Sequence, residues 1–163
     1  FMAIKIFVTG GTFDKEYNEI SGDLYFNKTH VREILDLGRA QVDVKIKELI
    51  LLDSLDMTNE HRITILENCI QTKDEKIIIT HGTDTMTKTA KYLAKANLKK
   101  TIVLTGAMIP YKFGSSDGLF NLGCALAFVQ SLKSGVYIAM NGKVFGWDKV
   151  VKNKTNGKFE EFI

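Results

Sequence analysis

The sequence predicts an α/β fold, a Rossmann-like sandwich in which helices cover both faces of a mostly parallel central sheet. Three observations carry that reading. Short β-rich apolar runs recur at residues 4–9, 49–52, 77–80, 101–105 and 136–140, and each is continuous rather than alternating. Continuous runs are the mark of strands buried on both faces. Between them lie segments with helical apolar spacing, so strand and helix alternate along the chain. Finally, several runs end in Gly- and Thr-rich loops, and open parallel sheets place their ligands at the carboxyl ends of strands.

In chain order, residues 4–9 form the first strand, ending at Gly10-Gly11. Residues 12–26 have little apolar periodicity and read as a long loop with at most a weak hairpin. Thr29 as N-cap and Gly38 as C-cap bracket a short helix with apolar residues at Val31, Ile34, Leu35 and Leu37. Val42, Val44 and Ile46 then alternate with charged residues and lead into the apolar run 49–52, a second strand. From Thr58 the pattern turns helical, with Ile63, Leu66 and Ile70 on the expected inner face and Ile65 and Cys69 beside it. The three isoleucines at 77–79 make a third strand, and residues 85–96 a helix with Met86, Ala90, Leu93 and Ala94 on one side. A fourth strand, 101–105, is followed by a long loop holding Pro110. Residues 119–132 are apolar enough to predict a helix buried on most faces, and 136–140 a fifth strand. The tail from Lys143 onward is polar and receives no assignment.

At 163 residues one domain is expected, with enough chain for a proper core. A 45% hydrophobic and 25% charged composition is ordinary for a globular domain. The net charge of +3, from 22 basic and 19 acidic residues, gives no support to nucleic-acid or membrane binding. No apolar run approaches the roughly 18 residues that span a bilayer. Cys69 and Cys124 lie in apolar helical patterns without a C-x-x-C or clustered histidines, which predicts buried free thiols rather than a disulfide or a metal site. With a strand pattern beginning directly at Ile4, the expected location is the cytoplasm.

Four strand-end loops hold the candidate chemistry: Thr9-Gly10-Gly11-Thr12, Asp53-Ser54-Leu55-Asp56, His81-Gly82-Thr83-Asp84 and Thr105-Gly106-Ala107-Met108. Glycine beside threonine lets the backbone turn and turn its N–H groups toward a ligand. A phosphate cradle is one reading of the first loop, but the chain lacks both G-x-G-x-x-G and G-x-x-x-x-G-K-[ST] there. The other is nucleophilic catalysis by threonine, with a lysine to manage the proton and Asp84 to orient it. Lys152, within Val150-Val151-Lys152-Asn153, is the candidate lysine. His81 is read as structural, packing under or capping its loop, and Ser115-Ser116-Asp117 as a helix N-cap.

The loop Thr9-Gly10-Gly11-Thr12 and the stretch His81-Gly82-Thr83-Asp84-Thr85-Met86 resemble the two signature motifs of the bacterial-type L-asparaginases. Further matches are Ser54, Asp56-Met57, the segment from Thr105 through Pro110, the segment from Ser116 through Leu122, and Met140-Asn141-Gly142. They follow the family's order over nearly the whole chain. The resemblance implies that Thr12 is the nucleophile forming an acyl-enzyme, and that Thr83, Asp84 and Lys152 form a second polar triad. Lys149 and Lys154 are the alternatives for the lysine. Backbone N–H groups near Thr12 and Thr83 would stabilise the oxyanion, with Gly11, Gly82 and Ala107 lining the substrate site. Ser54 would hold the substrate carboxylate and Asp84 its amino group. Tyr25 matches the tyrosine that assists the nucleophile, with Tyr17 as the alternative. The family uses no metal or organic cofactor.

Two departures bear on substrate. Residues 1–163 read as a single domain of the N-terminal asparaginase type, without the family's second, smaller domain. Leu55 stands where family members usually carry glutamine, and it cannot hydrogen-bond a substrate. The expected function is therefore hydrolysis of asparagine or a related small amide through a threonine acyl-enzyme. The rival is a non-catalytic relative that binds a small metabolite or assembles through the same pocket. The expected partners are a small amide or amino-acid substrate and further copies of the chain, as a dimer or tetramer.

Overall fold

The computed structural model describes residues 2–162. Its strands and helices are β1 (Ile4–Gly10), β2 (Lys15–Tyr17), β3 (Leu24–Phe26), α1 (Val31–Leu37), β4 (Val44–Leu52), α2 (Asn59–Gln71) and β5 (Lys76–Thr80). There follow α3 (Met86–Ala94), β6 (Thr101–Thr105), α4 (Gly118–Ser131), β7 (Gly135–Met140), β8 (Lys143–Gly146), β9 (Val150–Lys152) and β10 (Phe159–Glu161). The main sheet runs β4-β1-β5-β6-β7-β8, parallel throughout except for the last pair.

Both faces are covered, as the continuous apolar runs require. Phe7, Ile77, Ile79, Ile102, Leu104 and Ile138 point into one core with α2 and α3. Ile6, Val8, Ile78, Val103 and Ala139 point into the other with α1 and α4. The strand order reverses between β1 and β5: from β1 the chain crosses to β4 on one side, and from β5 it proceeds through β6 and β7 on the other. The loops leaving β1 and β5 therefore part at a topological switch point, where such sheets open a crevice.

Four expectations need correction. Helix α4 is not buried on most faces: Asn121, Leu122, Ala125 and Val129 face inward, while Leu119 and Phe120 are exposed. Its apolar composition exceeds what one buried stripe needs. Helix α2 buries Arg62, Ile65 and Cys69, and leaves Ile63 and Ile70 exposed. A charged residue on the inner face rotated the apparent stripe by one position. Cys124 is only half-buried, whereas Cys69 is fully buried and its thiol is pushed up to about 12 by that burial. The polar tail is structured: β8 extends the sheet antiparallel to β7, and β9 pairs with β10 as a hairpin against the α2–α3 core through Val150 and Phe159.

Residues 12–26 make a turn and a short hairpin, β2 with β3. Asp14 anchors it. Its buried carboxylate accepts from His30 N at 2.8 Å and from Thr29 Oγ1 at 3.2 Å, and the second oxygen has no hydrogen-bond partner. Thr29 thus ties the turn to α1, and His30 occupies the N-cap position assigned to Thr29 above. The His30 ring lies between the carboxylates of Glu16 (3.3 Å) and Glu33 (3.7 Å). Burial, only partly offset by these hydrogen bonds, raises the Asp14 pKa from 3.8 to about 6. Between about pH 4 and 6 the native chain then keeps a proton that the unfolded chain has released. Stability is thus highest below that window and falls as pH rises through it, by about 3 kcal/mol for this group. Asp14→Asn should remove the decline. In urea unfolding at pH 4 and pH 7, the wild type should lose more stability than the variant, and equal losses would refute the assignment.

Candidate active site

The two loops at the switch point meet through their main chains. A Cβ on Gly11 would overlap the backbone of Gly82, and Gly11 also holds a positive φ of 74°. A Cβ on Gly82 would come within 2.6 Å of the Ser54 Cβ. Glycine at both positions lets the loops after β1, β4 and β5 converge. Hydrogen bonds lock the approach: Gly11 N donates to Leu52 O at 2.9 Å, and the buried Thr9 hydroxyl donates to Thr80 O at 2.7 Å. The loop after β6 joins through His81 N to Thr105 O at 2.9 Å.

The β9–β10 hairpin then brings a cation to this corner. Lys152 Nζ donates to Thr83 Oγ1 and to Asp84 Oδ1, each at 2.8 Å. Thr83 is buried, the Lys152 side chain is 13% exposed, and the Asp84 side chain is 44% exposed. The ion pair thus has one dry partner and one wet one, and the threonine hydroxyl lies on the dry side. Residues 69 positions apart meet because β9 packs against α3, the helix that follows the Thr83 loop.

Ser54 is buried beside them. Its Oγ accepts from Thr85 N at 3.2 Å, and its carbonyl accepts from the Thr85 hydroxyl at 2.8 Å. Asp53 organises the same turn by accepting from Leu55 N at 3.0 Å and pairing with Lys15 at 2.6 Å. The Lys15 ammonium holds the Asp53 carboxyl below the usual carboxylate range. Lys15 follows the Thr12–Asp14 turn directly, so this pair also ties the first loop to the second. Leu55 projects into solvent, 70% exposed.

The candidate residues do not all join this hydrogen-bonded corner. Thr12 is half-buried at the start of its turn, next to Gly11, but the side-chain bonds run Lys152–Thr83, Lys152–Asp84 and Thr85–Ser54. Tyr25 lies on β3 and is 43% exposed, and Tyr17 on β2 packs edge-on against Phe113. Ala107 is buried in the α1–α4 core. Asp117 does not cap α4 with its side chain: its carboxylate accepts from Met108 N and Ile109 N at 3.0 Å and holds that loop instead. His81 is structural, as expected. It is fully buried, with Nδ1 2.7 Å from Gly82 O and Nε2 2.7 Å from Thr89 Oγ1, and burial drives its pKa down to about 4. Asp14, Lys15 and Arg62 had no signal as site residues in the sequence, although an arginine three and seven positions before Ile65 and Cys69 is spaced for the inner face of α2.

The contact between Gly11 and Gly82 has a measurable consequence. Gly11→Ala should destabilise the fold by about 2–4 kcal/mol, from backbone strain plus overpacking. Gly22 has a similar φ of 78° but open space around it, so Gly22→Ala should cost only about 1 kcal/mol. Thermal unfolding separates the two, and equal shifts in Tm would mean that the close approach is not formed.

The comparisons agree with this architecture. Residues 3–162 match the family model "Asparaginase, N-terminal". L-asparaginase 2 of Escherichia coli is 32% identical over 162 residues, covering 93% of this chain and 47% of that protein. A probable periplasmic L-asparaginase of Haemophilus influenzae is 35% identical over 119 residues, 69% of this chain and 34% of that protein. The structure of the thermostable L-asparaginase from Thermococcus kodakarensis superposes with a TM-score of 0.85 at 28% identity, covering 98% of this chain and 51% of that one. The chain spans about half the length of these relatives or less. With a family match over nearly all its residues, on a fold shared with a solved asparaginase, the chain belongs to the asparaginase family through its N-terminal domain.

Proposed function

We propose that this chain carries the acyl-transfer machinery of an amidohydrolase acting on asparagine or a related small amide. The observation that carries the reading is Lys152 Nζ at 2.8 Å from both Thr83 Oγ1 and Asp84 Oδ1, across the switch point from Thr12. In the proposed reaction the Thr12 hydroxyl attacks the amide carbon. The C–N bond breaks, ammonia leaves with the threonine proton, and the acyl group stays on Thr12 as an ester. In the second half water adds to the ester carbonyl, the bond to the Thr12 oxygen breaks, a proton of that water goes to this oxygen, and the acid is released with Thr12 restored, while Thr83, held by the Lys152 donor, orients the water. Backbone N–H groups near Thr12 and Thr83 would stabilise the oxyanion, a contribution often worth a few kcal/mol, with Gly11 N excluded because it donates to Leu52 O. The L-asparaginase relatives support this reading for the part of their length that the chain matches.

The second reading, a non-catalytic binding protein, is favoured by one feature: Thr12 and Tyr25 stand outside the Lys152–Thr83–Asp84 hydrogen bonds. Leu55 at the rim gives a substrate amino acid one polar contact fewer than glutamine would. We assign the protein to the cytoplasm on its two free cysteines, although a relative is described as periplasmic. No described helix is long and apolar enough to cross a membrane. We also propose self-association through the apolar groove between α1 and α4, lined by Ile34, Leu35, Leu119, Leu122 and Leu126.

Ammonia release from a panel of asparagine, glutamine and simpler amides tests the function. Activity should vanish in Thr12→Ala, and Lys152→Met should lower kcat by roughly 10²–10⁴-fold. Binding without turnover on any amide would support the second reading instead. Light scattering at micromolar concentration should give a dimer or larger species that Leu119→Lys weakens, and a strict monomer would contradict the oligomer.

A further inference from the structure

Arg62 is the largest fully buried side chain, 1% exposed, and among the described residues no carboxylate pairs with it. Its guanidinium donates to Thr89 Oγ1 at 2.9 Å, Met57 O at 3.1 Å and Thr85 Oγ1 at 3.0 Å. All three acceptors are neutral. Desolvation lowers its pKa, but a guanidinium keeps its proton, so an uncompensated cation lies beneath the Ser54 loop.

Arginine can only donate, and this fixes the direction of every hydrogen bond around it. Thr85 Oγ1 accepts from Arg62 and therefore gives its own proton to Ser54 O, 2.8 Å away. Thr85 N fills one lone pair of Ser54 Oγ, and the Ser54 hydroxyl proton finds no acceptor among the described residues. On the other branch, Thr89 Oγ1 accepts from Arg62 Nε and has two acceptors within reach of its own proton, His81 Nε2 at 2.7 Å and Met57 Sδ at 3.6 Å, of which the nearer is His81. Gly82 O can only accept, so His81 Nδ1 carries the hydrogen at 2.7 Å and Nε2 of the neutral ring is left to accept from Thr89. The buried cation thus sits on the two hydroxyls, Thr85 and Thr89, that link the Ser54 loop to His81, while the Gly82 carbonyl sets the histidine's tautomer.

We propose that Arg62 is a specificity-determining positioning residue, whose unpaired charge and hold on Thr85, the residue that donates to both Ser54 O and Ser54 Oγ, favour a ligand that places a carboxylate at Ser54. This deepens the amide-hydrolase reading and rests on it for the ligand's identity. The class selected is a small amide bearing a free carboxylate, in preference to the same amide with that group esterified. Arg62 does not touch the ligand. It acts through Thr85 on Ser54, and through its field.

Two measurements test this. Binding of asparagine and of asparagine methyl ester is compared on a Thr12→Ala background, so that turnover plays no part. The acid should bind at least tenfold tighter than the ester. Adding Arg62→Met should bring that ratio to threefold or less, and Arg62→Lys should recover part of it. A ratio that Arg62→Met leaves unchanged, or no preference for the acid, overturns the proposal. The second measurement needs no variant to fold and no ligand: ¹⁵N spectra of the wild-type imidazoles should show His81 neutral and Nδ1-protonated at pH 6. An Nε2–H or cationic His81 overturns the donor chain. Failure of amide hydrolysis would leave the tautomer and the binding ratio readable, so the two claims fail separately.

Discussion

Two main chains touch at the carboxyl end of this sheet, and the site depends on that contact. Gly11 and Gly82 approach so closely that a side chain on either would displace a neighbouring loop. Because β1 and β5 are adjacent while their connections depart in opposite directions, the fold leaves a crevice there. The glycines narrow it from a gap between strands to a corner in which Thr12, Ser54 and Thr83 are neighbours through their loops. Hydrogen bonds from Gly11 N to Leu52 O and from Thr9 to Thr80 hold the corner without help from a ligand.

Around that corner, charges are distributed in layers. Lys152 and Asp84 form the outer pair, with Asp84 partly in water. Lys15 and Asp53 tie the first and second loops. Arg62 lies deepest and has no counter-ion among the described residues. A buried cation surrounded only by neutral acceptors is costly to maintain, and removing it would leave hydroxyls free to reorient. Its neighbour His81 stays neutral chiefly because it is fully buried, and the Arg62 charge adds to that in a smaller measure.

Much of this was legible in the chain. The five apolar runs located the parallel strands, since strands buried on both faces need no alternation. The Thr-Gly loops located the crevice, since glycine marks where backbones approach. The rest depended on tertiary partners. The 143–162 segment reads as polar tail because its strands are three or four residues long, and only Val150, Phe145 and Phe159 face the core. Arg62 disguised the inner face of α2, because a charged residue is normally taken to point outward. Helix α4 misled in the opposite sense: an apolar surface such as Leu119 and Phe120 is indistinguishable by composition from a core. Asp14 could not be recognised as an anchor, since its partners Thr29 and His30 lie beyond a hairpin that the sequence only weakly suggests.

The central claim is that Thr12, held beside Gly82 by this contact, forms a covalent acyl intermediate. Intact-mass and peptide mapping after brief exposure to a slowly turned-over amide, followed by acid quench, addresses it directly. The account predicts an acyl adduct, with loss of ammonia from the amide, on the peptide that contains Thr12. Amide hydrolysis with no adduct on Thr12, or with the adduct on another residue, would contradict it.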